Sequence, residues 1–133
     1  MNNFWENQSL KKTSFIHSLS NLSNDIEFSK EKRKIEMKKI QDLFSRINRT
    51  YNSCIEIGAG SCQWTCILAK LSKNVLCTDT SKGMLDIGKE YINKKKPENN
   101  INFFHGDIFE ERNPINSPYD LVFISGLILY LSQ

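Results

Sequence analysis

One stretch of the sequence constrains the fold more than any other. The short apolar run Cys54-Ile55-Glu56-Ile57 ends in Gly58-Ala59-Gly60 and is followed by a helical pattern. A change from strand to helix across glycines is typical of a parallel sheet in which a helix follows each strand. Glycines in such a turn permit positive φ angles and let a ligand approach the backbone. The stretch therefore predicts the start of an α/β domain with a ligand site at its first turn.

The same alternation continues to residue 125. Further strands are predicted at Val75–Thr78, Ile101–Phe104 and Tyr119–Ser125. A helix from Trp64 to Leu71, ended by Asn74, follows the first strand, and Ser81 can cap a second helix after the next one. The strands are nearly continuous apolar runs, which favours a sheet covered on both faces. We therefore expect the α/β class: a Rossmann-like open parallel sheet with flanking helices and about four strands.

The N-terminal part differs from this region in charge and in pattern. Residues 1–49 contain ten Lys and Arg against six Asp and Glu, whereas residues 50–133 contain eight against nine. One or two short helices are predicted in the first 29 residues, and an amphipathic helix follows from Ser29, a candidate N-cap, to Asn48. Its lysine-rich face is interpreted as solvated rather than as a nucleic-acid contact. We expect an N-terminal helical segment over 1–49 and a sheet domain over 50–133.

The composition excludes several classes of protein. No apolar run is long enough to span a bilayer, and the N-terminus lacks the charged start and apolar stretch of a signal peptide. The four cysteines show no C-x-x-C spacing, and they are interpreted as buried thiols rather than as disulfides or metal ligands. We therefore expect a cytoplasmic protein without a membrane partner and without a metal site.

Acidic residues recur where the predicted strands end. In an open α/β sheet, ligands bind beyond the carboxyl ends of the strands, and these ends are Glu56–Gly60, Asp79-Thr80, Gly106–Ile108 and Ser125-Gly126. The glycine turn is not a dinucleotide fingerprint, because Gln63 stands where its last glycine is required and Glu56 would repel a pyrophosphate. A carboxylate at this place suits a cationic ligand instead.

Four segments resemble the motifs of class I S-adenosylmethionine-dependent methyltransferases, in that family's order. They are Glu56-Ile57-Gly58-Ala59-Gly60, Asp79-Thr80-Ser81-Lys82-Gly83-Met84-Leu85, Gly106-Asp107-Ile108 and Tyr119-Asp120-Leu121-Val122-Phe123. The resemblance covers about residues 50–133. The sequence departs from the pattern at Cys62, where the family often has a third glycine. The resemblance implies a methyltransferase with S-adenosyl-L-methionine as its cofactor.

The resemblance also implies roles at the first two strand ends. The turn formed by Gly58, Ala59 and Gly60 would hold the methionine part of the cofactor, and Glu56 would help to hold its ammonium group, directly or through water. Asp79 would accept hydrogen bonds from both ribose hydroxyls, because an ionised carboxylate offers paired acceptors to a diol.

Five further cofactor-binding residues follow from the same resemblance. Thr80 and Met84 would border the adenine. Asp107 would accept from the exocyclic amine, and the backbone N–H of Ile108 would serve a ring nitrogen. Ser125 would lie beside the methionine tail.

No catalytic residue is identified from the sequence. Methyl transfer from a sulfonium mainly requires alignment of the acceptor, and a general base is only sometimes added. His105 lies at a strand end beside the cofactor motifs, and His17 lies in the N-terminal segment, but neither is assigned as that base. The first hypothesis is a methyltransferase with a small-molecule acceptor. The alternatives are a truncated, non-catalytic cofactor-binding remnant and a basic nucleic-acid-associated module.

The last predicted strand leaves one edge of the sheet open. The family's full domain has a seven-stranded sheet, whereas only four strands are predicted here. Residues Leu121 to Leu131 would form a long apolar edge, which is a liability for aggregation and pairing. We therefore expect either a truncated or split version of a longer methyltransferase, or pairing of this exposed C-terminal edge strand with another chain.

Overall fold

The computed structural model describes residues 2–11, 25–110 and 118–125. Within these ranges the helices are α1 (Asn2–Lys11), α2 (Ile26–Ile47), α3 (Thr65–Leu71) and α4 (Lys82–Lys95). The strands are β1 (Tyr51–Ile57), β2 (Ser72–Asp79), β3 (Asn100–His105) and β4 (Leu121–Ile124). The regular alternation of strands and helices from β1 onward confirms the predicted α/β class, with helices preceding the sheet.

The four strands form one parallel sheet in the order β3-β2-β1-β4. After β3 the chain passes to the other side of β1, so β4 pairs with β1 and places Phe123 opposite Glu56. This reversal of strand order creates a switch point between β1 and β4. Ligands of open α/β sheets bind at the carboxyl ends of the strands beside such a switch point.

The hydrophobic core lies on one face of the sheet. One buried cluster contains Phe44 of α2, Leu68 of α3 and Leu85 of α4. It also contains strand residues whose side chains share one face of the sheet: Cys54, Val75 and Cys77. Partly buried residues on the same face pack against it: Ile101, Phe103, Leu121 and Phe123. On the opposite face, Val122 and Ile124 of β4 are 55% and 41% exposed. The apolar runs predict that helices cover both faces of the sheet. The described helices α2, α3 and α4 cover the face that carries Cys54, Val75 and Cys77.

Helix α2 begins earlier than the sequence pattern predicts. Its N-cap is Asp25, whose carboxylate accepts from the Phe28 N–H at 3.0 Å. The prediction that Ser29 is the N-cap is wrong: Ser29 lies in the first helical turn, and its Oγ donates to the Asp25 carbonyl at 2.9 Å. An aspartate is well suited to the cap because its carboxylate also carries negative charge at the helix N-terminus. The last helical residue is Ile47, and the C-cap Asn48 has a left-handed φ of 42°.

The strands also differ from prediction at their starts. β1 begins at Tyr51 rather than Cys54, and β2 begins at Ser72, so Asn74 lies within a strand instead of ending a helix. These starts are mostly polar, and Asn52, Lys73 and Asn74 are exposed, so they carry no apolar pattern. The Asp120 carboxylate accepts from the N–H groups of Asn52 and Ser53 at 2.9 and 3.2 Å. This contact lies at the amino end of the sheet, opposite the strand ends that carry the glycine turn and Asp79.

Among the described helices, none combines the length and the apolar character that crossing a bilayer requires.

Candidate cofactor site

The glycine turn after β1 adopts the left-handed backbone that its sequence predicts. Gly58 and Gly60 have φ angles of 69° and 54°, a region in which other residues are disfavoured. The Ala59 N–H donates to the Thr78 carbonyl at 2.9 Å, which ties the turn to β2. A Cβ atom placed on Gly60 would lie 3.8 Å from the Met84 methyl group. The first residues of α4 therefore border this turn, as the motif order implies.

Cys62 takes a conformation that normally favours glycine. Its φ is 61°, and it is completely buried. The Sγ atom lies against Gly88 of α4, where a Cβ atom would collide with it. The missing side chain at position 88 thus provides the space that the thiol occupies. This pairing explains how the chain keeps the left-handed turn without a third glycine.

The Asp79 carboxylate joins the turn after β1 to the turn after β2. Its Oδ2 accepts from the Gly60 N–H and its Oδ1 accepts from the Ser81 N–H, both at 2.8 Å. Burial raises the pKa of Asp79, and the N–H groups of Ser81, Gly60 and Thr80 oppose that shift. A carboxylate offers about four lone-pair directions, so these three N–H groups leave room for a further donor.

Glu56 lies beneath the glycine turn rather than at its surface. Its side chain is 2% exposed, and Oε2 accepts from Thr65 Oγ1 at 2.6 Å. Cys77 Sγ lies 3.7 Å from the same oxygen. Burial raises the pKa of Glu56 to about 7, and the bond from Thr65 opposes the rise. The glutamate therefore supports the turn from the core side, toward α3.

The end of β3 contacts the backbone of the residues at the end of β2. The Gly106 N–H donates to the Asp79 carbonyl at 3.0 Å, and His105 Nε2 lies 3.1 Å from the Thr80 carbonyl. The Asp107 carboxylate turns toward its own loop, where Oδ1 accepts from the Phe109 N–H at 2.9 Å. The third motif thus adjoins the second without a bond between their carboxylates.

The predicted site residues fall into two groups. The first group lies together across the tips of β1 and β2, which are joined by hydrogen bonds: Glu56, Gly58, Ala59, Gly60, Asp79, Thr80 and Met84. Asp107 and the half-buried Ile108 follow the end of β3, and the exposed Ser125 follows β4.

Helix α1 contributes two residues to this region that the sequence analysis did not identify. The Glu6 carboxylate accepts from Ser81 Oγ at 2.7 Å and from the Gly83 N–H at 3.1 Å. Ser9 lies against Gly83. A separation of 75 residues between Glu6 and Ser81 leaves no local pattern from which this contact could be found.

The cysteines and other metal-binding residue types do not form a centre of their own in the described part of the chain. No group of three His, Cys, Asp or Glu side chains there has an arrangement that could hold a metal ion. Cys54, Cys62, Cys66 and Cys77 are free. Burial raises the pKa of Cys54 to about 12 and also raises the pKa of Cys66. The thiols of Cys54 and Cys66 are thereby kept protonated, and Cys54, Cys62 and Cys77 pack within the core.

Comparison with known proteins agrees with this arrangement. The family model described as "Methyltransferase domain" matches residues 54–133, more than half of the chain. A search of curated protein sequences finds no match. Among solved structures, phosphoethanolamine N-methyltransferase 1 from Haemonchus contortus is 25% identical with a TM-score of 0.68, over 98% of this chain and 25% of that protein. Its structure contains phosphoethanolamine and S-adenosylhomocysteine.

Two further structures share the fold at lower identity. Magnesium protoporphyrin IX methyltransferase from Synechocystis PCC 6803, solved with bound S-adenosylmethionine, is 13% identical with a TM-score of 0.71, over 98% of this chain and 62% of that protein. A methyltransferase from Aquifex aeolicus is 17% identical with a TM-score of 0.59, over 70% of this chain and 50% of that one. This chain thus spans between a quarter and about three fifths of these proteins' lengths. It belongs to the methyltransferase domain family, whose cofactor is S-adenosyl-L-methionine.

Proposed function

We propose that the tips of β1 and β2 bind S-adenosyl-L-methionine and that the domain transfers its methyl group to a small-molecule acceptor. The observation that carries this proposal is the Asp79 carboxylate. It accepts hydrogen bonds from the N–H groups of Gly60 and Ser81, one on each oxygen, and a carboxylate can accept from further donors as well. A ribose diol requires paired acceptors of this kind beside an accessible backbone turn.

The surrounding residues fit the remaining parts of the cofactor. The left-handed turn Gly58–Gly60 offers backbone without side chains to the methionine part. Met84, next to Gly60, and Thr80 would border the adenine. Asp107 would accept its exocyclic amine, the Ile108 N–H would donate to a ring nitrogen, and Ser125 would lie beside the methionine tail.

Glu56 would favour a cationic ligand through its charge and through the turn that it supports. Its buried carboxyl has a pKa of about 7, so a positive group bound above the turn would lower that pKa. We therefore propose that Glu56 stabilises the cofactor's ammonium group electrostatically, with a water between them because the carboxylate is buried.

The bound cofactor would supply a methyl group already activated on a sulfonium. The residues of this chain would therefore act mainly by holding and orienting it, since alignment supplies much of the rate acceleration in such transfers. The similar proteins are named for phosphoethanolamine and magnesium protoporphyrin IX, both small molecules. Their names support a small-molecule acceptor here.

We also propose that the free edge of β4 pairs with a further strand, either from another chain or from the remainder of a longer methyltransferase. Within the described residues, β4 pairs with β1 alone. Val122 and Ile124 beside this edge are largely exposed, and exposed apolar edge strands tend to pair.

The domain would then extend over residues 50–133, after an N-terminal helical segment at 1–49. The free cysteines support a reducing, cytoplasmic location.

Calorimetric titration with S-adenosylhomocysteine tests the binding proposal. Wild-type protein is expected to bind it, and Asp79→Asn is expected to weaken binding about 30-fold, since a bond to a charged acceptor is lost. Asp86→Asn is the matched control, because Asp86 lies on α4 but pairs with Lys82 at the surface. Absence of wild-type binding, or equal weakening by both variants, would contradict the proposed site.

Transfer of labelled methyl groups from the cofactor to a metabolite extract tests the activity. Labelled product supports the enzyme, whereas cofactor binding without product supports a non-catalytic remnant. Salt-dependent binding of RNA or DNA without cofactor binding would favour the nucleic-acid-associated module instead.

A further inference from the structure

Helix α1 is attached to the start of α4 by one carboxylate. Glu6 Oε2 accepts two hydrogen bonds, from Ser81 Oγ at 2.7 Å and from the Gly83 N–H at 3.1 Å. Both donors belong to the first residues of α4 and its cap, where backbone N–H groups lack partners within the helix. A residue from the beginning of the chain thus occupies the N-terminus of the helix that follows the Asp79 turn.

The packing around this contact is closely fitted. Ser9 is 8% exposed, and its Oγ donates to the Glu6 carbonyl at 2.6 Å. A Cβ atom on Gly83 would collide with the Ser9 side chain and approach Glu6 Oε1 to 3.3 Å. Helix α1 can therefore lie this close to α4 only because residue 83 has no side chain. Two independent features, the carboxylate and the glycine, fix the same docking position.

The hydrogen bonds to Glu6 favour its ionised form. The bonds from Ser81 and Gly83 lower the pKa of Glu6, burial opposes them with a smaller effect, and the nearby His105 and Lys82 lower it slightly further. Both donors therefore meet a carboxylate at neutral pH, and hydrogen bonds to a charged acceptor are stronger than those to a neutral one.

Ser81 connects this contact to the cofactor site. Its Oγ donates to Glu6 and accepts from the Met84 N–H at 3.2 Å, while its own N–H donates to Asp79 Oδ1. We propose that Glu6 is a positioning residue: by docking α1 on the start of α4, it holds Ser81, and through Ser81 the Asp79 carboxylate, in the geometry that binds the cofactor. This inference rests on the proposed function. It makes α1 docking and cofactor binding mutually stabilising, because linkage between two sites is reciprocal.

Variants at position 6 test the effect on affinity. Glu6→Gln keeps the length of the side chain and removes its charge, and it is expected to weaken S-adenosylhomocysteine binding about 3-fold; Glu6→Ala removes both bonds and is expected to weaken it about 10-fold. Asn7→Ala is the control, because Asn7 is exposed on the same helix, and it should bind like the wild type. Circular dichroism establishes that each variant is folded before titration.

Hydrogen exchange of α1 separates positioning from simple stabilisation. In the wild type, saturating S-adenosylhomocysteine is expected to slow amide exchange in residues 5–11 at least 3-fold, and the slowing should disappear in Glu6→Gln. If Glu6 only stabilised the fold, its substitution would lower the unfolding temperature, but amide exchange in α1 of the wild type would not depend on ligand. The wild-type measurement decides the matter even if Glu6→Ala does not fold.

The outcomes are distinguishable. Equal affinity of the wild type and Glu6→Gln, or α1 exchange that is insensitive to ligand in the wild type, overturns this inference and leaves the proposed function intact. Absence of binding by the wild type overturns the proposed function and this inference with it.

Discussion

The tips of β1 and β2 differ from those of β3 and β4 in how firmly their side chains are fixed. At the first pair, Asp79 is held by two backbone N–H groups and Glu56 by the Thr65 hydroxyl. At the second pair, the Asp107 carboxylate bonds within its own loop and Ser125 is exposed. The same sheet therefore presents one pre-arranged half and one half with few fixed side chains.

This difference indicates that the two halves contribute unequally to ligand affinity. Hydrogen-bond acceptors that are held before the ligand arrives lose little freedom on binding, so a pre-arranged half favours affinity. The half formed by the tips of β3 and β4 contributes fewer acceptors of this kind.

The buried Glu56 should make the stability of the pre-arranged half depend on pH. Its folded pKa is about 7, above the ordinary 4.5, so the folded state binds more protons than the unfolded state between these values. The free energy of unfolding should therefore decrease as pH rises through this window, by up to about 3 kcal/mol. Glu56→Gln should lack this decrease and be the more stable protein at pH 8. Denaturant titrations at several pH values measure it, and parallel curves for both proteins would contradict it.

Gly88→Ala should destabilise the same half by crowding Cys62. The added Cβ collides with Sγ and lies 3.0 Å from the Ser61 carbonyl carbon, which should cost about 2 kcal/mol after the gain in helix propensity. Chemical denaturation measures the loss. The double variant Cys62→Gly/Gly88→Ala should recover part of it, because the thiol is gone. A fully tolerated Gly88→Ala would show that the turn is less tightly packed than we describe.

Asp107→Asn should weaken S-adenosylhomocysteine binding less than Asp79→Asn does. We expect a loss of about 5-fold, since the Asp107 carboxylate is held by one N–H group of its own loop, whereas Asp79 is held by N–H groups from two turns. Calorimetry under identical conditions compares the two variants. A larger loss at Asp107 would reverse the proposed division.

Asp120→Ala should separate stability from binding. Its carboxylate accepts from Asn52 and Ser53 at the amino end of the sheet, so its loss should cost about 1 kcal/mol of stability. Because the proposed cofactor site lies at the opposite end, the dissociation constant for S-adenosylhomocysteine should remain that of the wild type. A changed affinity with unchanged stability would contradict this assignment.

The parts of the fold that depend on local pattern could be predicted from the sequence. The four strands, the Ser81 cap and the glycine turn follow from apolar periodicity and from residue types that act on their immediate neighbours. The starts of β1 and β2 could not be predicted, because Asn52 and Asn74 join the sheet through pairing between strands. Asp25 was missed because Ser29 offered an equally good local cap.

The site was predictable to the same extent. Strand ends place Glu56 and Asp79 near one another, but the sequence does not indicate which carboxylate is buried. Burial and the bond to Thr65 depend on how α3 packs against β1 and β2. The Glu6 contact lay beyond prediction for the same reason, since it depends on where a distant helix docks.

The position of β4 beside β1 has a consequence for biosynthesis. A nascent chain that has emerged only as far as residue 110 already contains β1, β2 and β3, which are neighbours in the sheet. Because β1 and β2 pair directly, the contacts between the glycine turn and Asp79 involve no residue beyond 110. The other side of the crevice requires Leu121–Ile124, which can pair with β1 only after they too have left the ribosome.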